Sequence, residues 1–173
     1  MISKKIILTG SFGVGKTSLF NRFLYSKFDE KYLTTIGVKV DKKVIEIDGK
    51  ELNLLIWDIA GEISQNKVPN SYFLGTSGII YVFDLTRPIT VKNLETDLEH
   101  LRKLSPGVTI KTVGNKKDLV TAEQIRKFEE VTGVEYDFLS SAKTGENVEE
   151  IFTALGKSLL DSVIPSSSAP RPL

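Results

Sequence analysis

The sequence predicts an α/β domain built on six strands in one mostly parallel sheet, with helices on both faces. Three observations carry this. Apolar runs alternate with helical patterns along almost the whole chain, as crossover helices between parallel strands require. Ile79-Ile80-Tyr81-Val82-Phe83 is continuously apolar, the composition of a strand covered on both sides. Finally, Gly10-Ser11-Phe12-Gly13-Val14-Gly15-Lys16-Thr17-Ser18-Leu19 joins an apolar run to an amphipathic one through a glycine-rich turn.

The elements follow in order. The first strand spans Lys4–Thr9 on Ile6-Ile7-Leu8, and the first helix spans Lys16–Tyr25 with Leu19, Phe20, Phe23 and Leu24 on its apolar face. Strands at Lys39–Ile47 and Glu51–Asp58 form an antiparallel hairpin, because Asp48-Gly49 between them is a strong turn signal. A fourth strand at Gly78–Leu85 precedes a helix over roughly Val91–Leu104. The fifth strand, Thr109–Asn115, leads to a helix at Ala122–Thr132, and the sixth, Glu135–Leu139, to a last helix at Val148–Val163. Thr121 with Gln124, and Asn147 with Glu150, have the spacing of N-caps and their reciprocal partners, and Gly133 is placed to stop the third helix. Val148, Ile151, Phe152, Leu155 and Leu159 supply the core stripe of the last one. Residues 1–164 read as one domain, while the Ser/Pro/Ala composition of residues 165–173 reads as a disordered tail.

Composition removes several functional classes. Among 173 residues, 23 basic and 22 acidic side chains leave a net charge of +1, which argues against a protein held on nucleic acid by bulk charge. With no cysteine among these residues, no disulfide, thiolate nucleophile, thiolate zinc site, prenyl or palmitoyl anchor is expected, and with Met1-Ile2-Ser3 no myristoylation is expected. No apolar run reaches membrane-spanning length, so the expected location is cytoplasmic, with any membrane recruitment left to a partner. The single histidine, His100, lies in a charged helical stretch and reads as a solvated surface residue, which disfavours histidine acid–base chemistry.

The glycine-rich turn has the pattern G-x-x-x-x-G-K followed by Ser or Thr. Its glycines let successive N–H groups of Gly13, Val14 and Gly15 point inward at the N-terminus of a helix that begins Lys16-Thr17-Ser18, making a nest for phosphate. Lys16 adds a positive charge for terminal phosphates, and the Thr17 hydroxyl is a Mg²⁺ ligand candidate. The turn identifies a nucleoside polyphosphate as ligand. Leu54-Leu55-Ile56-Trp57 ends in Asp58, at the strand edge where ligands of parallel sheets sit. Asp58 can hold Mg²⁺ there through water, and the Gly61 N–H can face the terminal phosphate.

Asn115-Lys116-Lys117-Asp118 follows the fifth strand directly. The Asp118 carboxylate offers two acceptors that match the N1–H and 2-amino donors of guanine, whereas adenine would oppose it with an acceptor. The Lys116 stem can lie on the base, and Asn115 can brace this loop against the phosphate loop. After the next strand, Ser141-Ala142-Lys143 places an Ala142 N–H for guanine O6 and a Lys143 stem for the opposite face.

With these motifs in this order the chain resembles the small GTPases of the Ras superfamily, closest to the Rab branch, over nearly its whole length. The motifs are Gly10–Ser18, Thr34-Thr35-Ile36-Gly37, Trp57-Asp58-Ile59-Ala60-Gly61, Asn115–Asp118 and Ser141–Lys143; Ser71-Tyr72-Phe73 and Gly75 add to the Rab likeness. The resemblance implies a P-loop NTPase fold, GTP/GDP and Mg²⁺ as ligands, and effector, exchange-factor and GTPase-activating partners. It also implies that Thr35 closes over Mg²⁺ and the γ-phosphate and that Phe28 packs against guanine.

The chain departs from the family in three places. Glu62 stands where the family has a glutamine that orients the attacking water. At about 4 Å, like charges repel by about 4 kcal/mol at an effective dielectric of about 20, so a carboxylate beside the γ-phosphate is expected to slow hydrolysis. Phe12 puts a bulky ring near the space an incoming arginine finger would use, and Ile63-Ser64-Gln65-Asn66-Lys67 lacks the charged and aromatic pattern of Rab switches. Lys16, Gly61 and Glu62 are the catalytic candidates. Two readings stay open: a slow GTPase switch, and a GTP-loaded scaffold that acts by binding effectors. An ATP-using P-loop kinase or ATPase is disfavoured by Asp118.

Overall fold

The computed structural model describes residues 1–30, 37–60 and 68–163. Its strands are β1 Ile2–Gly10, β2 Val38–Ile47, β3 Lys50–Ile59, β4 Thr76–Asp84, β5 Thr109–Asn115 and β6 Phe138–Leu139. Its α-helices are α1 Lys16–Tyr25, α2 Leu94–Leu104, α3 Ala122–Thr132 and α4 Val148–Asp161, with short 3₁₀ turns at Asn70–Phe73, Pro88–Val91 and Lys117–Leu119. The strands form one sheet in the order β2-β3-β1-β4-β5-β6. Among the described residues only β2 and β3 pair antiparallel; every other pair in the sheet is parallel. Ile47 pairs with Lys50 across a turn in which Asp48 and Gly49 have φ 50° and 78°, the doubly positive geometry that matches hairpin twist.

Side-chain alternation divides the core between the two faces. Ile6 and Leu8 of β1, Leu52, Leu54 and Ile56 of β3, and Ile80 and Val82 of β4 meet α1 and α4 on one side. There Phe23 and Phe152 stack with ring centroids 3.8 Å apart. Ile7, Ile79 and Tyr81 point the other way, onto Leu94, Leu98 and Leu101 of α2. Phe83 on that face packs on Phe128 of α3.

Five expectations are corrected. The sixth strand shrinks to two residues, because the Asp137 carboxylate accepts the Thr112 N–H at 2.8 Å and so takes the place of a ladder carbonyl. Asn147 does not cap α4 through Glu150: it sits at φ 61° with its amide donating to the Leu139 carbonyl at 2.8 Å. The second helix begins at Leu94, after the 3₁₀ turn Pro88–Val91 in which the buried Thr90 hydroxyl is bonded to the Arg87 carbonyl at 2.8 Å. α4 also stops two residues early, at Asp161. His100 is half-buried on α2 rather than fully solvated. The caps at Thr121 and Gly133 are present as expected, Thr121 and Gln124 bonding each other reciprocally. Residues 165–173 lie outside the described residues.

Candidate functional site

Four parallel strands deliver Gly10, Asp58, Asp84 and Asn115 to one edge of the sheet, where Leu8 is level with Asp58 and Asp84 with Asn115. This is the edge at which open α/β sheets bind ligands.

The loop from β1 into α1 is shaped by what cannot fit. A Cβ on Gly10, at φ 140°, would lie 2.1 Å from the Val82 carbonyl oxygen. One on Gly15, at φ 99°, would lie 2.3 Å from Asn115 Nδ2. The backbone therefore passes where no side chain is admitted. The first turn of α1 has no acidic residue and no side-chain cap, which leaves its positive end for an anion. Lys16 is buried, and its Nζ donates to the Gly10 and Ser11 carbonyls at 3.1 and 2.9 Å. Burial lowers its pKa to about 8, against the opposing pull of Asp58. The buried Thr17 hydroxyl donates to Asp58 Oδ2 at 2.6 Å, and Ser18 is half-buried in the same helical turn.

Asn115 ties the second half of the site to the first. Its Nδ2 donates to the Val14 carbonyl at 3.1 Å, while its Oδ1 accepts from Ser140 Oγ at 3.1 Å and from the Ala142 N–H at 3.2 Å. The expected brace is therefore present. The Ala142 N–H, expected to face a base oxygen, is bonded to Asn115 in this structure. Lys116, at φ 69°, reaches back along the loop, with Nζ 2.8 Å from the Gly13 carbonyl and 2.7 Å from Asp84 Oδ2. Ser141 Oγ donates to Asp118 Oδ1 at 2.7 Å and accepts the Thr144 N–H at 3.1 Å, which fixes the carboxylate's orientation. Lys143 pairs with Glu30 at 3.4 Å across the surface. Phe28 is half-buried against the α1–α4 core and lines a groove of about 540 Å³ with Asn21, Tyr25 and Lys39. Thr35, Gly61 and Glu62 lie outside the described residues.

Sequence reasoning missed Asp84. It is fully buried, its Oδ1 accepts the Thr86 N–H and hydroxyl at 2.8 and 2.6 Å, and its Oδ2 faces the Lys116 ammonium. The available signal was its position, directly after the apolar run Ile79–Phe83 at the same edge as Asp58. Arg87, close behind, donates to the Phe12 carbonyl at 3.1 Å, and the Phe12 ring is half exposed.

Phosphate-type loop, strand-end carboxylate and carboxylate-bearing base loop thus share one edge, in family order. The sequence matches the model of the Ras family over residues 5–161. The chain belongs to the Ras family. As a small GTPase of that family it is a GTP-binding switch protein with a P-loop α/β fold. Among the described residues no group of three or more His, Cys, Asp or Glu side chains could cage a metal, and no helix is long and apolar enough to cross a membrane.

Proposed function

We propose that this small GTPase, nearest the Rab branch, cycles between GTP and GDP with Mg²⁺ and hydrolyses GTP slowly. The observation that carries the reading is the pair of ties from the base loop to the phosphate loop, Asn115 to Val14 and Lys116 to Gly13, together with an Asp118 carboxylate held by Ser141. Such a site measures a base and its phosphates as one rigid object. In this reading Gly13, Val14, Gly15, Lys16, Thr17 and Ser18 hold the phosphates. Asn115, Lys116, Asp118, Ser141, Ala142, Lys143 and Phe28 hold the guanine. The Rab placement rests on Thr35–Val38, Ser71-Tyr72-Phe73 and Gly75.

The residues present suit Mg²⁺. A hydroxyl and one carboxylate, adjacent and buried, fit a hard cation that takes most of its ligands from phosphate and water. Thr17 and Asp58 would hold it, joined by Thr35 in the GTP state, and it would supply charge neutralisation at the phosphates. Hydrolysis is in-line attack of water on the γ-phosphate, with the developing charge met by the Lys16 ammonium and by backbone N–H groups of the loop and Gly61. Segments Asp29–Gly37 and Gly61–Gly75 order around the γ-phosphate and relax after its loss, presenting surfaces to effectors, exchange factors and activating proteins. The half-exposed Phe12 ring and Glu62 favour a second reading, a GTP-loaded scaffold with turnover nearly abolished. Displacement of a fluorescent GDP analogue by GDP and not by ADP tests nucleotide choice. Single-turnover hydrolysis separates switch from scaffold.

A further inference from the structure

Arg22 sits on α1, the helix that carries Lys16 and Thr17, and reaches the base loop with its guanidinium. Its Nε donates to the Ala142 carbonyl at 2.7 Å, and its Nη2 to the Lys143 carbonyl. Its stem lies against Gly145: a Cβ there, at φ 85°, would be 3.8 Å from Arg22 Cδ. The two carbonyls belong to successive peptides, which a guanidinium fork holds at fixed separation and which a flexible ammonium cannot match.

We infer that Arg22 is a positioning residue for guanine: by gripping two carbonyls of the base loop it sets where the Ala142 N–H, which donates to Asn115 Oδ1 in this structure, stands for transfer to the base's 6-oxo group, and it locks that subsite to the phosphate helix. The inference rests on the guanine reading of Asp118 and Ala142. Asn115 restrains the same loop from the strand side, at the Ala142 N–H and Ser140 Oγ. Arg22 restrains it from the helix side, at the following carbonyls. A loop held from only one side keeps its place but loses its aim. The selectivity that depends on one N–H then falls while the phosphate contacts persist.

The full chain is tested as Arg22→Leu and Arg22→Lys, with GDP, ADP and 2-aminopurine riboside diphosphate, which keeps the 2-amino group and lacks the 6-oxo group and, with it, the N1–H, so that its weaker binding in the parent is the reference for each variant. Arg22→Leu should weaken GDP about tenfold or more while changing the 2-aminopurine nucleotide less than about twofold. Arg22→Lys, whose single ammonium nitrogen cannot reproduce the fork, should fall between. Equal weakening of both nucleotides, or no weakening of GDP, overturns the inference and leaves the guanine reading intact. Parent protein that binds ADP as well as GDP overturns the guanine reading itself. Thermal denaturation of each variant is measured alongside. If Arg22→Leu does not fold, the GDP to 2-aminopurine affinity ratio of Arg22→Lys decides the matter, an unchanged ratio being the contrary result.

Discussion

The Thr17 hydroxyl and the Asp58 carboxylate are bonded over 2.6 Å inside the protein, both side chains buried. With its proton committed to Asp58, the hydroxyl oxygen keeps its lone pairs for a cation, the form in which a neutral oxygen ligates Mg²⁺. Thr17→Asn replaces that oxygen with a bulkier amide. It should weaken a non-hydrolysable GTP analogue by about tenfold or more in Mg²⁺ while affecting GDP less, because metal ligation matters most with a γ-phosphate present. Equal affinities of variant and parent for the analogue, measured by titration with Mg²⁺, would count against the assignment.

Base choice should follow Asp118. Asp118→Asn exchanges an acceptor for donors, so guanosine nucleotides should lose affinity while xanthosine nucleotides, which carry a 2-oxo group, gain it. A competition assay in which neither changes removes Asp118 from the base site. Ser141 holds the carboxylate at 2.7 Å, so the new amide will also be oriented rather than free to turn.

Gly10 should be irreplaceable. A methyl group there meets the Val82 carbonyl at 2.1 Å from a backbone at φ 140°, and two paired strands must separate to admit it. Gly10→Ala is expected to cost about 2 kcal/mol or more, lowering the melting temperature by about 4–8 °C. A melting temperature within about a degree of the parent would show that the strand ends are looser than this packing implies.

Hydrolysis should be limited in part by Glu62. On the proposed reading Glu62→Gln would remove a negative charge from beside the phosphate and supply an amide donor, and a tenfold faster single turnover would correspond to about 1.4 kcal/mol of barrier. A slower variant would mean that the carboxylate assists as a general base. An unchanged rate would place the water-orienting group elsewhere, Gln65 being the next candidate.

Much of this architecture was legible because local and long-range signals agreed. The helices Lys16–Tyr25 and Ala122–Thr132 and the strand Thr109–Asn115 occupy the expected residues, each bounded by a turn whose chemistry is local: Gly15, the Thr121–Gln124 box, Gly133. The sixth strand failed because Asp137 spends its carboxylate on Thr112, a side-chain substitution for a ladder bond that no periodicity reveals. Asn147 failed for a backbone reason: at φ 61° it lacks the extended geometry of a capping residue, and its Nδ2 donates to the Leu139 carbonyl. In the site, the residues that would face the ligand carry motif signals, so Lys16, Thr17, Asp58, Asn115 and Asp118 could be read directly. Asp84 and Arg22 act on other protein groups across 32 and 120 positions of sequence, and contacts of that kind leave no local pattern.

The central claim, a guanine nucleotide held by its base and phosphates together, is tested most directly by denaturing the purified protein and identifying the released nucleotide chromatographically. The account predicts GDP or GTP at about one equivalent per chain, since a site that grips base and phosphates at once releases its ligand slowly. An adenine nucleotide in that fraction, or an empty site that added GDP with Mg²⁺ fails to fill, would contradict it.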